Sequence, residues 1–388
     1  MAQTLTAEGA LGPAAAPASA AAPPSAPVAE AAASAPSPSP APAPAAAPAA
    51  AIAPSPAAAP VPAKGAPAPA PASPVGSGGS SRLGLLRAVT RGTPTNYDML
   101  VLRTLNRDQA LPNANGDHLA AALRDELMPL RSWWLKHWPG SKANMRRTLE
   151  NPFWGVPGAI NFIDARTKWF DEAVTQALDG GIKQVVVVAA GYDTRAYRLG
   201  RPGVRFFEVD LPIASETKQR LVDKLGFVKD QAARPTYVGA DLARVPLAQA
   251  LAGTGFDPAA PTLWTVEGLV YYLPGDAPHA LYAAISALSA PGSRVWFDFM
   301  SEEALAGRGS FPGFKTTAKS VANKDEPFVW GLPPCREGVA GFLAGSGLEL
   351  GDFLTPKDMV GRMLPHLPWS DRRPPIASFY LYATARKP

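Results

Sequence analysis

The residues from Val185 to Asp210 have the types and spacing of a nucleotide-binding site. Val185–Val188 is an unbroken β-branched run, which indicates a parallel strand buried on both faces. Small residues follow at 189–191, where a backbone can come close to a ligand. A second apolar run ends on Asp210, which stands 19 positions after Gly191. Such a unit has an acid roughly 20 positions after its glycine, so the Asp210 carboxylate is predicted to accept hydrogen bonds from ribose hydroxyls.

The residues of the turn after this first strand bear on which ligand, if any, binds there. A pyrophosphate site needs a G-x-G-x-x-G turn, whereas this turn holds one glycine, Gly191, with Asp193 close behind it. An acid there repels a pyrophosphate. It suits a ligand that carries a nucleoside and a cation, such as S-adenosylmethionine. A nicotinamide dinucleotide and a buried turn without a ligand are the two alternatives.

A set of short segments carries a resemblance to a known family. In chain order they are ARTKWFD at 165–171, AAGYDTRAYRL at 189–199, FFEVDLP at 206–212 followed by Lys218, GADL at 239–242, and VEGLVYYL at 266–273. Together they resemble the leucine carboxyl methyltransferase family of class I S-adenosylmethionine-dependent methyltransferases. The resemblance covers roughly Asn161 to the C-terminus, with weaker similarity from about Thr95. Where many members carry glycine this chain has Ala189, which fits if its φ is negative.

The resemblance implies that the cofactor is S-adenosylmethionine and assigns contacts to it. Arg166 would pair with the methionyl carboxylate of the cofactor, a bidentate contact that a guanidinium suits. The Gly191 backbone would pass beneath the cofactor, and Asp210 would accept from its ribose hydroxyls. The alternative for Arg166 is a surface position on a helix.

Three further residues are implied to contact the cofactor. Asp241 would accept from the adenine amino group, with Leu242 beside the ring; a helix N-cap is the other role open to Asp241. Glu267 follows the fourth predicted strand, at the edge where open α/β sheets bind ligands. It would face the cofactor's ammonium or the acceptor and would position the reactants, so no residue is predicted to be catalytic.

Strands that alternate with helices predict an α/β fold with a mostly parallel, Rossmann-like sheet. The resemblance adds an antiparallel C-terminal strand and N-terminal helical elements. The predicted elements include a helix over 117–128 and a first strand over 184–189. Trp133, Trp134 and Trp138 are predicted to pack in the core or between domains, with a place in a lid over the substrate as the alternative. Tyr271 and Tyr272 are predicted either to line the acceptor pocket or to pack in the core.

Composition divides the chain into three predicted parts: a disordered tail over 1–81, an N-terminal helical region over 82–160, and a methyltransferase domain over 161–388. The tail consists mainly of alanine, proline and serine and has no aromatic residue. Such a segment buries too little apolar area to offset the entropy of ordering. It contains no arginine before Arg82, unlike a typical transit peptide, although organellar targeting stays open.

Several partners and sites are not expected. The single cysteine, Cys335, allows no intramolecular disulfide and indicates a reducing, cytoplasmic location. The four histidines have no ligand spacing, so no metal is expected. A net charge of +5 without a basic stripe argues against nucleic-acid binding. The sequence has no run of about 18 strongly apolar residues, so we expect no membrane partner.

The sequence thus predicts an S-adenosylmethionine-dependent O-methyltransferase. Its acceptor would be a carboxylate or hydroxyl of a small molecule or of a protein C-terminus. A carboxylate is ionised at neutral pH and needs no general base, whereas a hydroxyl needs one. The alternatives are a non-catalytic interaction module that keeps the fold and an NAD-dependent oxidoreductase.

Overall fold

The computed structural model describes residues 95–228 and 230–388, and within them seven strands form one sheet. The predicted tail over 1–81 lies outside the described residues. The strands are β1 (Gln184–Val188), β2 (Arg205–Asp210), β3 (Thr236–Gly239), β4 (Thr262–Val266), β5 (Arg294–Met300), β6 (Glu349–Leu354) and β7 (Tyr380–Arg386).

The sheet order is β3-β2-β1-β4-β5-β7-β6. Strands β1 to β5 pair in parallel, and β7 runs antiparallel to both β5 and β6. The predicted α/β class, with its antiparallel C-terminal strand, is confirmed. From β1 the chain first builds outward to β2 and β3 and then returns to place β4 on the other side. The carboxyl ends of β1 and β4 therefore flank a switch point, where sheets of this kind bind ligands.

Helices alternate with the strands of the sheet and also precede the first strand. They are α1 (Thr95–Asp108), α2 (Ala120–Leu127), α3 (Pro129–His137), α4 (Ser141–Leu149), α5 (Ala159–Asp179), α6 (Arg195–Leu199), α7 (Pro212–Leu225), α8 (Leu247–Leu251), α9 (Ala277–Ala287), α10 (Glu302–Leu305), α11 (Phe314–Ala322), α12 (Arg336–Ala344) and α13 (Pro356–Met363). The boundary predicted between 160 and 161 stays a prediction.

The core forms around the central strands because they are apolar on both faces. Every residue of β1 and β4 is buried. Helix α5 places Trp169 against the sheet, where its ring centroid lies 4.6 Å from that of Trp296 on β5. Helix α7 has favourable residues at both ends. Pro212 occupies its first turn, and Gly226 ends it in the left-handed region with φ of 64°.

The prediction that the tryptophans of α3 pack inside is wrong for two of them. Trp133 is 59% exposed, and Trp138, which follows the helix, is 63% exposed. The buried side of α3 carries Ser132 and Leu135 instead. Because the helical period places residue 133 on another side from 132 and 135, Trp133 faces solvent.

Candidate active site

A cavity of about 790 Å³ lies at the carboxyl edge of β1, β2 and β4. Small-molecule sites range over roughly 300–1,000 Å³, so its size suits a cofactor together with a second ligand. Arg166, Gly191, Asp210 and Glu267 all line it. The structure therefore brings together, in one cavity, four of the residues selected from the sequence.

The turn after β1 and the acid that ends β2 are joined by hydrogen bonds. The Asp210 carboxylate accepts from the backbone N–H of Gly191 at 2.5 Å and from that of Leu211 at 2.7 Å. Each carboxylate oxygen is thereby anchored yet keeps lone pairs for a further donor. The φ of Gly191 is 46°, a conformation that suits glycine. This geometry fits a ligand with neighbouring hydroxyl groups, such as a ribose.

Ala189 does not meet the condition under which alanine was expected to fit. Its φ is 54°, in the left-handed region, although it carries a Cβ. Alanine in this region costs roughly 1–2 kcal/mol, because Cβ approaches the following carbonyl oxygen. Strand β1 ends at Val188, one residue earlier than predicted, because this turn begins there.

Ala189→Gly is expected to stabilise the protein by about 0.5–1 kcal/mol. Relief of the left-handed strain exceeds the extra entropy that glycine gains in the unfolded chain. Urea denaturation at neutral pH measures the change. The neighbouring Ala190 has no positive φ, so Ala190→Gly is the matched control and should lower stability. A loss of stability in both variants would contradict the assignment of strain to position 189.

Three arginines surround the Glu267 carboxylate. Its oxygens lie 2.7 Å from Nη1 of Arg195, 3.1 Å from Nε of Arg166 and 3.7 Å from Nη2 of Arg103. Burial raises the pKa of Glu267, but the arginine charges outweigh it and the pKa lies below its ordinary value. An ionised carboxylate held in this way is a poor proton acceptor. Any ligand ammonium would share it with the arginines.

Arg166 is buried and bound to protein acids. Its Nη1 lies 3.2 Å from Oδ2 of Asp298 and 3.3 Å from the Tyr271 hydroxyl. Its Nη2 lies 4.0 Å from the sulfur of Met99, another residue of the cavity wall. Burial lowers the pKa of Arg166, but Asp298 and Glu267 raise it well above its ordinary value. The predicted contact with a cofactor carboxylate would therefore use Nη2, and it stays a prediction.

Asp298 was not selected from the sequence, although a signal was present. It is the one acid in the apolar strand β5, RVWFDFM, and it is fully buried. It accepts from the Gly268 backbone N–H at 2.6 Å and pairs with Arg166. Burial raises the pKa of Asp298 above its ordinary value. An acid inside an apolar strand is costly unless it is partnered, so it indicates a charged partner nearby.

Arg103, which lines the cavity, and Arg195, which pairs with Glu267, were also not selected from the sequence. The Asp193 carboxylate closes the turn before Arg195, because it accepts from the Arg195 backbone N–H at 2.6 Å. The side chain of Arg195 also reaches Glu267, as described above. Arg103 lies in the apolar stretch LVLRTL of α1. As with Asp298, a charge inside an apolar stretch was the available signal.

Asp241 and Leu242 do not line the cavity. Oδ1 of Asp241 accepts from the Ala243 backbone N–H at 3.1 Å, and Oδ2 lies 3.3 Å from Nε of Arg244. The carboxylate thus closes the turn after β3, a local role close to the predicted N-cap. Leu242 packs against the main core. Their contacts with the adenine stay predictions.

The part of the cavity away from β1 and β2 has an aromatic wall. It is lined by Phe162, Tyr271, Tyr272, Phe328, Phe379 and Tyr380. Burial raises the pKa of Tyr271, Tyr272 and Tyr380, so these hydroxyls stay protonated at neutral pH. The two tyrosines singled out from the sequence both line the cavity, and Tyr271 also belongs to the core. No histidine among the described residues lines the cavity.

Two general properties of the described residues bear on partners. They contain no group of three or more His, Cys, Asp or Glu side chains placed to hold a metal ion. In residues 95–228 and 230–388, no helix has the length and apolarity needed to cross a bilayer.

Comparisons with known proteins place the chain in a family. The sequence profile of the leucine carboxyl methyltransferase family matches residues 101–286. A Mycobacterium tuberculosis protein named "Putative S-adenosyl-L-methionine-dependent methyltransferase Rv1896c" is 39% identical over 246 residues, 58% of this chain and 78% of that protein. A Mycobacteroides abscessus relative with the same general name is 41% identical over 146 residues, 37% of this chain and about half (47%) of the relative.

Among solved structures, a DUF574 family protein from Streptomyces avermitilis is 17% identical, with a TM-score of 0.47. The likeness covers 71% of this chain and 98% of that one. The sequence profile and the identity to the Mycobacterium tuberculosis relative establish the assignment. This chain therefore belongs to the leucine carboxyl methyltransferase family of S-adenosylmethionine-dependent methyltransferases.

Proposed function

We propose that this protein transfers the methyl group of S-adenosylmethionine to a carboxylate of its acceptor. The observation that carries the choice of a carboxylate is the state of Glu267 and of the tyrosines that line the cavity. Glu267 is held by arginines, Asp210 by backbone amides, and the lining tyrosines have raised pKa values. A hydroxyl acceptor needs a base. The arginines stabilise Glu267 in its ionised form and the tyrosines stay protonated at neutral pH, so neither serves as that base. A carboxylate acceptor needs none.

The residues at the cavity fit the proposed cofactor. Asp210 has lone pairs for the ribose hydroxyls, the backbone at Gly191 can pass beneath the ligand, and Glu267 or Nη2 of Arg166 can meet the charges of an amino acid moiety. When bound, the cofactor supplies an electrophilic methyl group, and its transfer to a carboxylate releases no proton. The residues of the chain would hold the two ligands in line and exclude water, which is the main requirement of such a displacement.

The aromatic half of the cavity supports an acceptor with an apolar or aromatic body. Phe162, Phe328 and Phe379 offer ring faces and edges, while the hydroxyls of Tyr271 and Tyr272 can donate to an acceptor oxygen. Tyrosine donors orient a carboxylate without removing a proton from it. This arrangement supports an acid attached to an apolar body better than a sugar or a polar alcohol.

The lability of the product to alkali tests the proposal. The protein is incubated with methyl-labelled S-adenosylmethionine and cell extract, and the labelled product is treated with mild base. A methyl ester releases volatile labelled methanol, which is the expected result, whereas a methyl ether or methylamine keeps its label. Glu267→Gln and Asp210→Ala variants serve as negative controls. Label that stays on the product after alkali would overturn the choice of a carboxylate.

The pH profile gives a second test. Because no group need lose a proton, turnover at saturating substrate is expected to stay within about twofold between roughly pH 6 and pH 9. A hydroxyl acceptor activated by a base would instead give a rate that rises about tenfold per pH unit below the pKa of that base. A steep rise in this range would contradict the proposed chemistry.

A further inference from the structure

An exposed aromatic and basic surface lies on α3, α4 and the loop that follows α4. Nine large apolar side chains are exposed among the described residues, and five of them fall between positions 130 and 154. These five, here called the rim surface, are Leu130, Trp133, Trp138, Phe153 and Trp154. Each is at least 59% exposed. Exposed apolar patches on soluble proteins mark sites of interaction, and five such side chains within 25 positions of the chain indicate one here.

The geometry of α3 directs part of this surface outward. Leu130, Trp133 and His137 are spaced three and four residues apart and so share one side of the helix. The rings of Trp133 and His137 stack with their centroids 5.2 Å apart. Ser132 and Leu135 form the buried side of α3, so Leu130 and Trp133 are not needed for its packing against the core.

Basic residues surround the rim surface. Between positions 129 and 154 the chain has a single acid, Glu150, and five basic residues: Arg131, Lys136, Lys142, Arg146 and Arg147. Three of the five pair with acids, namely Arg131, Lys136 and Arg146. Lys142 donates to the backbone carbonyl of Asp108, and Arg147 is exposed. With the acids that pair with them, namely Asp98, Asp125 and Glu150, the five basic residues still outnumber the acids by five to three.

We propose that the rim surface binds a lipid bilayer with anionic headgroups. Tryptophan favours the boundary between headgroups and hydrocarbon, because its ring is apolar and its N–H is polar. Lysine and arginine are attracted to anionic lipids. A protein partner fits less well, since the cores of protein interfaces are depleted in lysine.

The surface lies beside the cavity. Trp154 belongs to both, and Arg131, which is next to Leu130 in the chain, also lines the cavity, so a bilayer bound at the rim surface lies over one side of the cavity mouth. The contact is peripheral, with side chains inserted among headgroups. The expectation of no membrane partner rested on the lack of a spanning run, and that observation does not bear on such a contact.

Sedimentation with lipid vesicles tests the proposal on the full chain. Vesicles of phosphatidylcholine with phosphatidylglycerol are compared with phosphatidylcholine alone. We expect binding to the anionic vesicles that weakens as salt is raised, and much weaker binding to the neutral ones. The double variant Trp133→Ala/Trp138→Ala should lower the partition coefficient about tenfold or more. Lys142→Gln and Arg147→Gln should each lower it roughly fivefold, on anionic vesicles alone.

Matched controls use exposed residues outside the surface. Leu111→Ala removes an exposed apolar side chain, and Arg308→Gln removes an exposed charge; both should bind vesicles as the unaltered protein does. Thermal melting confirms that each variant is folded. The proposal is overturned if the unaltered protein stays in the supernatant, or if the tryptophan variant binds as well as the Leu111 control. It is also overturned if the protein is a dimer that the tryptophan variant converts to a monomer, because the surface is then a self-interface.

Discussion

Replacing Glu267 with glutamine is expected to lower the free energy of unfolding by about 3 kcal/mol or more. The amide keeps the shape of the side chain but removes the charge that Arg103, Arg166 and Arg195 share. Removing one partner of a buried ion pair costs roughly 3–5 kcal/mol, because the remaining charge loses its compensation. Urea denaturation of the two proteins measures the difference. Glu302→Gln, which breaks the exposed pair with Arg308, is the matched control and should cost less than about 1 kcal/mol.

The effect should depend on pH in a defined direction. Because the arginines hold the pKa of Glu267 below its ordinary value of 4.5, the folded state favours the ionised form. The stabilisation is then complete above the unfolded-state pKa and is lost as the pH falls through the folded-state value. The difference in stability between the two proteins should therefore be constant near neutrality and shrink in acid.

Calorimetry with S-adenosylmethionine separates structure from binding in the same variant. We expect an affinity about tenfold lower, since a charge-assisted contact is lost and the arginines around it are less ordered. A loss of affinity with unchanged stability would favour a carboxylate used mainly by the ligand's ammonium. Unchanged values of both would contradict the role of Glu267 as the centre of the charge network.

The sheet was accessible from sequence because its signals are local. Strand β4 covers residues 262–266 and ends immediately before Glu267, where the fourth strand was predicted to end. The helix predicted over 117–128 starts later, at Ala120. The reason is a buried acid: Asp117 accepts from the Ala120 backbone N–H and pairs with Arg103 and Arg198, which holds it ahead of the helix.

The ion pairs around Glu267 and Asp298 could not be predicted from the sequence, because the paired residues are distant along the chain. Arg166 and Asp298 are 132 positions apart, and Arg195 and Glu267 are 72 apart. The sequence shows which residues are charged, but it does not show which of them meet. Only the packing of α5 against the sheet brings Arg166 to β5. The predicted burial of Trp133 and Trp138 was wrong for a related reason. Apolar character predicts burial on average, whereas the side of the helix that meets the core depends on tertiary packing.

A second buried ion pair, between Glu208 on β2 and Lys218 on α7, is expected to be replaceable by apolar residues. Both side chains are 2% exposed, and Nζ of Lys218 lies 2.6 Å from Oε2 of Glu208. Neither the carboxylate oxygens of Glu208 nor Nζ of Lys218 makes a well-formed hydrogen bond with another described residue. A buried pair whose other protons and lone pairs are unsatisfied repays its desolvation poorly.

Glu208→Leu alone should therefore lower the free energy of unfolding by about 3–5 kcal/mol, since it leaves a buried ammonium without a partner. Adding Lys218→Met should restore stability to that of the unaltered protein or raise it by about 1–4 kcal/mol. Urea denaturation of the single and double variants tests both statements. A double variant no more stable than the single one would show that the pair contributes more than its desolvation costs.

The pH dependence of the same comparison tests the state of Glu208. Burial raises its pKa from 4.5 to about 7, and the Lys218 charge only partly offsets this. The folded state then binds the proton more tightly than the unfolded state, so this carboxyl destabilises the fold as the pH rises from the unfolded to the folded pKa. The double variant lacks the group. Its advantage over the unaltered protein should therefore widen between about pH 5 and pH 7 and level off above that. An advantage that stays constant across this range would mean that Glu208 is ionised throughout and that Lys218 compensates its burial fully.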